Sequence, residues 1–309
     1  MRKLCKKRGR LSEVLLCSKV LLLFAIFSLL ISIPFIFVRD FRSFRNKSLQ
    51  VDRHSMLDPT FVIFTVTRYE SISDLRFGTC ITMIKECVSY KISVVIVDDS
   101  PLDEVRDRLR EAGAIVHRQT FIGRKGAALR EAATIAAKLV DVTNESYLCF
   151  QEPEKVDMVK SWGSVVKVGN RVGADVVVPM RDVKLFQKTY PFEQYHSETY
   201  GNAYLNAVAK EKFKETVENI DWLFGPISFK SKHLQLWTEY DGGDSYDAQI
   251  VPYVHAMRRG LAVKSVQVSY HASLKMKEEE EENVAFIEKR LSQLNYLIPK
   301  LKDAWTNKF

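Results

Sequence analysis

Two glutamates one residue apart follow an apolar segment near the middle of the chain. The segment Tyr147–Phe150 has the composition of a buried strand, and Glu152, Pro153 and Glu154 come soon after it. Because residues i and i+2 of a strand point to the same side, the two carboxylates can converge on one ion. Mg²⁺ and Mn²⁺ prefer oxygen ligands, and Mg²⁺ often uses one or two carboxylates together with substrate phosphates. The spacing predicts a divalent-cation site, and the alternative is a solvated turn.

Two further polar clusters also follow apolar segments. They are Thr67, Arg68 and Glu70 after the segment 61–66, and Asp98 and Asp99 after the segment 93–97. Segments with helical spacing alternate with the predicted strands, and Pro101 followed by acidic residues is typical of a helix start. The alternation predicts an α/β fold, a mostly parallel central sheet with helices on both faces. Ligands of such sheets bind beyond the carboxyl ends of the strands, so the three clusters are expected to share one site.

A glycine-containing turn, 123–126, opens an alanine-rich helix. Backbone N–H groups at a helix start can bind phosphate, and Arg124 and Lys125 add positive charge beside Gly126. The pattern predicts a phosphate contact, although glycines at this spacing are also common in plain turns. Near the C-terminus, five consecutive glutamates, 278–282, are predicted to form the solvated start of a final helix.

The N-terminal part of the chain has the pattern of a membrane anchor. Residues 20–38 carry no charge and are just long enough for a helix across a bilayer. A cleaved signal peptide is the alternative, but its apolar core should span only about 7–15 residues. Seven basic residues in the tail 1–19 and five after the anchor favour a cytoplasmic N-terminus. We expect a basic cytoplasmic tail, an anchor at 20–38 and a stem at 39–59.

The net charge of +8 belongs to these N-terminal segments. Of the 46 basic and 38 acidic residues, 34 of each fall in the range 59–309. The remainder flanks the anchor, where it can meet anionic lipid. Because the main domain has no excess of basic residues, the composition does not indicate a nucleic-acid-binding protein.

The order of the clusters over residues 60–271 resembles that of GT-A-type glycosyltransferases, the Rossmann-like, nucleotide-sugar-dependent fold of family 2 and its relatives. The resemblance implies donor contacts from Thr67, Arg68, Glu70, Asp98, Asp99, Arg124, Lys125 and Gly126. It also implies that Glu152 and Glu154 stand where the family has a D-x-D that holds Mn²⁺ or Mg²⁺ and the donor diphosphate. The Glu-Pro-Glu-Lys sequence departs from that motif. Arg124 and Lys125 are the alternative means of stabilising the leaving diphosphate.

The resemblance also suggests a base and a third metal ligand. An inverting transferase needs a general base for the acceptor hydroxyl, and Asp247 is our first candidate, with Asp244 second. Asp221, in the segment 221–226, lies in a second acceptor-side candidate region. Each of the first two can instead cap a turn or helix. His271 corresponds to a late histidine that binds metal in some GT-A enzymes, and a structural histidine is the alternative.

These observations lead us to expect a single-pass type II membrane protein of the Golgi or endoplasmic reticulum. Its residues 60–271 would form the catalytic domain, and 272–309 a helical segment packed on it. The acceptor would be a glycan, a glycoprotein or a lipid, and Asn144 begins a glycosylation sequon. The alternatives are a polyprenyl-phosphate sugar transferase facing the cytosol and a non-catalytic nucleotide-sugar-binding protein.

Overall fold

The structure, a computed structural model, describes residues 60–141, 145–213, 218–240 and 243–306. Every element below belongs to the unit Leu57–Phe309. The predicted tail, anchor, stem and the sequon at Asn144 lie outside the described residues. Within the described ranges, no helix combines the length and the apolar character that a bilayer crossing requires.

The described residues form one seven-stranded sheet with the strand order β3-β2-β1-β4-β6-β5-β7. The strands are β1 (Phe61–Thr67), β2 (Val94–Asp98), β3 (Ile115–Arg118), β4 (Tyr147–Phe150), β5 (Val176–Arg181), β6 (Ile227–Lys230) and β7 (Val263–Val268). Strand β6 runs antiparallel to its neighbours β4 and β5, and the other paired strands are parallel. The prediction of a mostly parallel sheet is therefore confirmed.

Helices connect the strands and continue to the C-terminus. They are α1 (Leu75–Ser89), α2 (Asp103–Glu111), α3 (Lys125–Ala137), α4 (Trp162–Arg171), α5 (Val183–Thr189), α6 (Phe192–Phe213), α7 (Gln235–Thr238), α8 (Asp247–Arg258), α9 (Leu274–Glu280) and α10 (Val284–Thr306). Helix α10 contacts α6 and α8. Short 3₁₀ turns, Val156–Ser161 and Ser231–His233, lead into α4 and α7.

Alternate residues of the strands enter two separate cores, one on each face of the sheet. Val62 and Phe64 of β1 pack in the core that contains α3 and α8, whereas Ile63 packs in the core that contains α1 and α4. The alternation arises because successive side chains of a strand point to opposite faces of the sheet. Burial on both faces explains why the strands read as continuous apolar runs, and it confirms the predicted helices on both faces.

The parallel strands end at one edge of the sheet, where the polar clusters collect. Thr67 and Asp98 are the last residues of β1 and β2 and lie side by side in register. The segment 151–155 follows β4 at the same edge, because β4 is parallel to β1. Strand β6 enters the sheet there from the segment 221–226. The functional site is therefore expected at this edge.

The glutamate run differs from its predicted role as a solvated helix start. Glu278, Glu279 and Glu280 belong to the short helix α9, and α10 begins separately at Val284. Glu280 is buried, because its carboxylate faces Arg76 and Arg290. The ion pairs with Arg76 and Arg290 keep the Glu280 side chain buried. The sequence around Glu280 does not indicate these two contacts.

Candidate functional site

A cleft of about 410 Å³ opens at the carboxyl edge of the sheet. The ends of β1 and β4, the start of α3 and the C-terminal helices α9 and α10 contribute to its lining. The residues of the sequence-based prediction that line it are Thr67, Arg68, Lys125, Glu152 and Glu154. Glu70, Asp98, Asp99, Arg124, Gly126, Asp244, Asp247 and His271 are not in its lining.

The loop after β4 is anchored from below by a buried glutamine. Trp162 Nε1 donates to Gln151 Oε1 at 2.7 Å, and Gln151 Nε2 donates to the carbonyl of Lys155 at 3.1 Å. The amide of Lys155 donates back to the carbonyl of Glu152 at 3.0 Å and closes the turn. These bonds hold Glu152, Pro153, Glu154 and Lys155 at the cleft.

Both glutamates of this loop have uncommitted oxygens. Glu152 Oε2 is buried without a hydrogen-bond partner, and its nearest cation, Lys155 Nζ, is 3.8 Å away. Glu154 lines the cleft and forms neither a hydrogen bond nor an ion pair with any described residue. Two carboxylates of this kind fit a hard divalent cation. Among the described residues no group of three or more His, Cys, Asp or Glu could hold a metal, so substrate and water oxygens would complete its coordination.

Two lysines accompany the carboxylates. Burial lowers the pKa of Lys125, although Glu152 and Glu154 oppose the shift. Burial also acts to lower the pKa of Lys155, but Glu152 and Tyr190 outweigh it and the pKa rises, so Lys155 carries its charge at neutral pH. Lys155 was not among the predicted site residues. Its place directly after the Glu-Pro-Glu sequence was the available signal, since the same turn must hold it at the cleft.

Asp98 and Asp99 have different surroundings despite their adjacency. Asp98 is fully buried and accepts hydrogen bonds from Thr67 Oγ1 at 2.7 Å and Arg106 Nη1 at 3.0 Å, besides two from Ser100. Asp99 Oδ2 accepts from Arg68 Nη1 at 3.1 Å and from a backbone amide of the glycine turn, while its Oδ1 is buried without a partner. Of the two, only Asp99 has a carboxylate oxygen without a partner among the described residues, and it does not line the cleft. Glu70 is exposed and pairs with Arg68.

The start of α3 is covered by protein. The amide of Gly126 donates to the carbonyl of Asp244 at 3.0 Å, and a β-carbon at Gly126 would lie 2.8 Å from the carbonyl oxygen of Gly243. Glycine is needed there for the close approach of two backbone segments. Arg124 pairs with Asp244. The turn therefore binds the segment 243–248, and only Lys125 reaches the cleft from it.

The two candidate bases hold that segment together. Asp247 is fully buried and accepts hydrogen bonds from Tyr240 Oη at 2.9 Å and Tyr296 Oη at 2.8 Å. Burial would raise the pKa of Asp244, but its hydrogen bonds with Arg124 and Arg130 outweigh burial and lower it. A lowered pKa weakens a carboxylate as a base. His271 has a half-exposed side chain, and its Nδ1 lies 3.3 Å from Asp157 Oδ2.

A buried ionic network lies against the inner wall of the cleft. Arg181 Nε and Nη2 bind both oxygens of Asp221 at 2.7 and 2.8 Å, and Arg181 Nη1 binds Glu198 at 2.7 Å. Glu198 and Tyr190 line the cleft beside it. Asp221, a residue of the second acceptor-side region, is thus the bidentate partner of Arg181. An arginine at the end of an apolar strand was the one sequence signal for this network.

The chain matches no family model and no curated protein sequence. Among solved structures, it is similar to glucosyl-3-phosphoglycerate synthase from Mycobacterium tuberculosis in complex with Mn²⁺, uridine diphosphate and phosphoglyceric acid, with a TM-score of 0.55, 13% identity and coverage of 81% of this chain and 80% of that one. The complex of that synthase with UDP-glucose gives a TM-score of 0.53 at 13% identity over 81% of each chain.

A crystal structure described as that of a mycobacterial protein gives a TM-score of 0.51 at 15% identity, over 79% of this chain and 75% of that one. The fold is GT-A-like. At 13–15% identity the similarity concerns the arrangement of the strands and helices, that is, the fold.

Proposed function

We propose that this chain is a glycosyltransferase that moves a sugar from a nucleoside-diphosphate donor to an acceptor. The observation that carries the proposal is the convergence of Glu152, Glu154, Lys125 and Lys155 in one cleft at the carboxyl edge of a GT-A-like sheet. Carboxylates for a cation and lysines for phosphates are the groups that a leaving diphosphate requires. The similar synthase, which holds Mn²⁺ and a uridine nucleotide, supports this choice.

Glu152 and Glu154 would hold Mn²⁺ or Mg²⁺, since both have free carboxylate oxygens. The cation, when bound, neutralises charge on the leaving diphosphate. Lys155 is protonated beside Glu152 and contributes positive charge that needs no metal. Lys125 approaches the same carboxylates from α3 and is oriented by the ring of Tyr246, whose centroid is 4.6 Å from Nζ.

Two buried hydroxyls in the cleft support a polar ligand. Thr65 and Tyr190 line the cleft region. Thr65 Oγ1 has no hydrogen-bond partner in the described structure, and Tyr190 Oη lies near Arg181 without a well-formed hydrogen bond to it. Buried polar atoms are nearly always satisfied, so such atoms at a cleft call for a ligand or water. Sugar hydroxyls can both donate and accept these bonds.

A non-catalytic nucleotide-sugar-binding protein is the second candidate. One observation favours it, because Asp244 and Asp247 do not line the cleft and both are engaged with neighbouring side chains. A donor-hydrolysis assay separates the two candidates. Slow release of free sugar from the donor, dependent on the protein, identifies an enzyme, and an intact donor after prolonged incubation identifies a binding protein.

The decisive binding experiment uses the full-length protein in detergent. Uridine, guanosine, adenosine and cytidine diphosphates are titrated by calorimetry in Mn²⁺ and in EDTA. We expect one nucleotide to bind preferentially and more tightly in Mn²⁺. Absence of binding by all four nucleotides would overturn the proposal, and the winning nucleotide narrows the choice of donor sugar.

We also propose that residues 20–38 anchor the domain in the Golgi or endoplasmic reticulum membrane with the cleft in the lumen, where a glycan, glycoprotein or lipid would be the acceptor. The basis is the uncharged segment with more basic residues before it than after it. Expression in microsomes tests the topology. The domain should resist added protease until detergent is present, and digestion without detergent would favour a cytosolic orientation.

A further inference from the structure

Three basic side chains line the part of the cleft that α1 and α10 contribute. Arg76 comes from the first turn of α1, and Lys289 and Arg290 come from the second turn of α10. We call these three residues the basic cluster. Arg76 is more than 200 positions from Lys289 and Arg290 in sequence but meets them at one cleft, so only the fold assembles the cluster.

The basic cluster shares a single dedicated carboxylate. Arg76 Nη2 lies 3.3 Å from Glu280 Oε1, and Arg290 Nη2 lies 3.3 Å from Glu280 Oε2. Each guanidinium therefore receives one oxygen of Glu280, where a carboxylate can bind a whole guanidinium with both. Arg290 Nη2 also donates to Gln194 Oε1 at 3.0 Å. The pairing leaves donor N–H groups of both arginines available to a second anion.

A second carboxylate is near but committed elsewhere. Glu198 Oε1 is 3.7 Å from Arg290 Nη1, while its Oε2 binds Arg181 at 2.7 Å. Arg181 also binds Asp221. When this deeper network is counted with the basic cluster and Glu280, one positive charge remains in excess. The cleft wall thus has a net attraction for an anion.

Lys289 has no carboxylate within 4 Å among the described residues. Its Nζ lies 5.3 Å from the centroid of the Phe286 ring. Burial lowers the pKa of Lys289, and the charges of Arg290 and Arg76 lower it further, while Glu280 and Glu154 act in the opposite direction. Holding three like charges together in a half-buried site costs folding free energy. A bound anion would relieve that repulsion, and titratable groups perturbed in this way in a cleft mark a candidate functional site.

We propose that the basic cluster binds a phosphate group of the sugar acceptor, so that the acceptor is an anion. The inference rests on the proposed glycosyltransferase function, because the ligand of the basic cluster is an acceptor only if the chain transfers a sugar. It separates two anion sites within one cleft, since the donor diphosphate is assigned to Glu152, Glu154, Lys125 and Lys155. The phosphate of the acceptor would then be held by side chains of α1 and α10, and this contact would position the acceptor hydroxyl in the cleft.

The test measures anion binding without nucleotide, using full-length protein in detergent. Inorganic phosphate, glycerol 3-phosphate and uncharged glycerol are titrated by ligand-detected NMR, with short-chain phosphatidic acid as the lipid form of the same group. We expect both glycerol 3-phosphate and phosphate to bind and glycerol not to bind. The relative affinities of glycerol 3-phosphate and phosphatidic acid tell a soluble acceptor from a lipid one. No binding by any of the phosphates overturns the inference.

Variants locate the site. Lys289→Gln and Arg290→Gln should each weaken phosphate binding about ten-fold, because each removes a charged hydrogen-bond donor. Lys85→Gln, on the exposed face of α1, is the matched control and should bind as the parent does. Lys289 makes no ion pair with the residues that the structure describes, so we expect its variant to keep the fold even if Arg290→Gln disturbs the pair with Glu280.

The proposed function and this inference fail in different ways. If Lys289→Gln weakens binding of nucleoside diphosphate in Mn²⁺ as much as it weakens phosphate, the cluster belongs to the donor site and the inference is overturned, while the proposed function stands. If the parent binds no nucleotide but Lys289→Gln loses phosphate, the anion site is real and the proposed function fails. Unchanged phosphate affinity in Lys289→Gln overturns the inference alone.

Discussion

The carboxylate of Glu152 lies directly against the α-carbon of Gly225. Gly225 has a φ of +106°, and a β-carbon at this position would overlap both oxygens of Glu152. The carbonyl of Gly225 accepts a hydrogen bond from Gln249 Nε2 at 2.6 Å, which ties the turn to α8. The position of the first glutamate of the loop is therefore set by a glycine that precedes β6.

Gly225→Ala should displace the Glu152 carboxylate and strain the backbone. We expect loss of the Mn²⁺-dependent part of nucleotide binding and a fall of about 1–3 kcal/mol in the free energy of unfolding. Gly78→Ala is the control, because a β-carbon at Gly78 in α1 meets no atom within 4 Å. Alanine there should be neutral or slightly stabilising. Urea unfolding and calorimetry of both variants check the prediction, and intact metal-dependent binding in Gly225→Ala would contradict it.

Glu154→Gln should remove the metal increment in nucleotide affinity. The amide keeps the shape of the side chain but loses the charge that a hard cation requires. The measurement is the ratio of nucleotide affinity in Mn²⁺ to that in EDTA, which should fall to about one. Glu104→Gln, an exposed residue of α2, should leave the ratio unchanged. Equal binding by the parent in Mn²⁺ and EDTA would exclude a metal role for both glutamates.

Asp98→Ala distinguishes the sequence-based expectation from the structural surroundings. Asp98 is the buried partner of Arg106, whose side chain is 3% exposed. Removing one member of a buried ion pair typically costs about 3–5 kcal/mol, because the other charge remains buried. We expect a large loss in urea unfolding, with Asp107→Ala on the exposed face of α2 as a near-neutral control. Weaker nucleotide binding with unchanged stability would instead place Asp98 in the donor site.

His255 should make the domain less stable in acid. Burial, with Arg258 and Arg259 nearby, lowers the pKa of His255 to about 3 from its usual 6.5. Above pH 6.5 the ring is neutral in both states and has no effect. Between 6.5 and about 3 only the unfolded chain takes up the proton, so the free energy of unfolding falls by about 2 kcal/mol from pH 7 to pH 5.

His255→Gln should remove that part of the pH dependence. Denaturant unfolding of the parent and the variant at pH 7, 6 and 5 gives the comparison. The difference in unfolding free energy between the two should change in favour of the variant as the pH falls. A constant difference across this range would show that His255 titrates normally in the folded domain.

Local patterns were sufficient to predict the parallel strands and the edge that carries the site, but they did not predict the antiparallel strand β6. The apolar runs at 61–66, 93–97 and 147–150 each became a strand within one residue of its expected bounds, because both faces of a parallel sheet are buried. Polar residues directly after such runs lie at one edge by geometry alone. Position in the sequence was therefore enough to predict that four residues line the cleft, namely Thr67, Arg68, Glu152 and Glu154.

Tertiary contacts decided which polar residues face a ligand and which face protein. Asp98 and Asp99 are adjacent in sequence, yet Asp98 is bound by Arg106, whereas Asp99 Oδ1 has no hydrogen-bond partner among the described residues. Asp247 has the position of a helix start in sequence, but Tyr240 and Tyr296 enclose it. The physical reason is that a buried carboxylate must find a partner, and partners many residues away become neighbours only when the chain has folded.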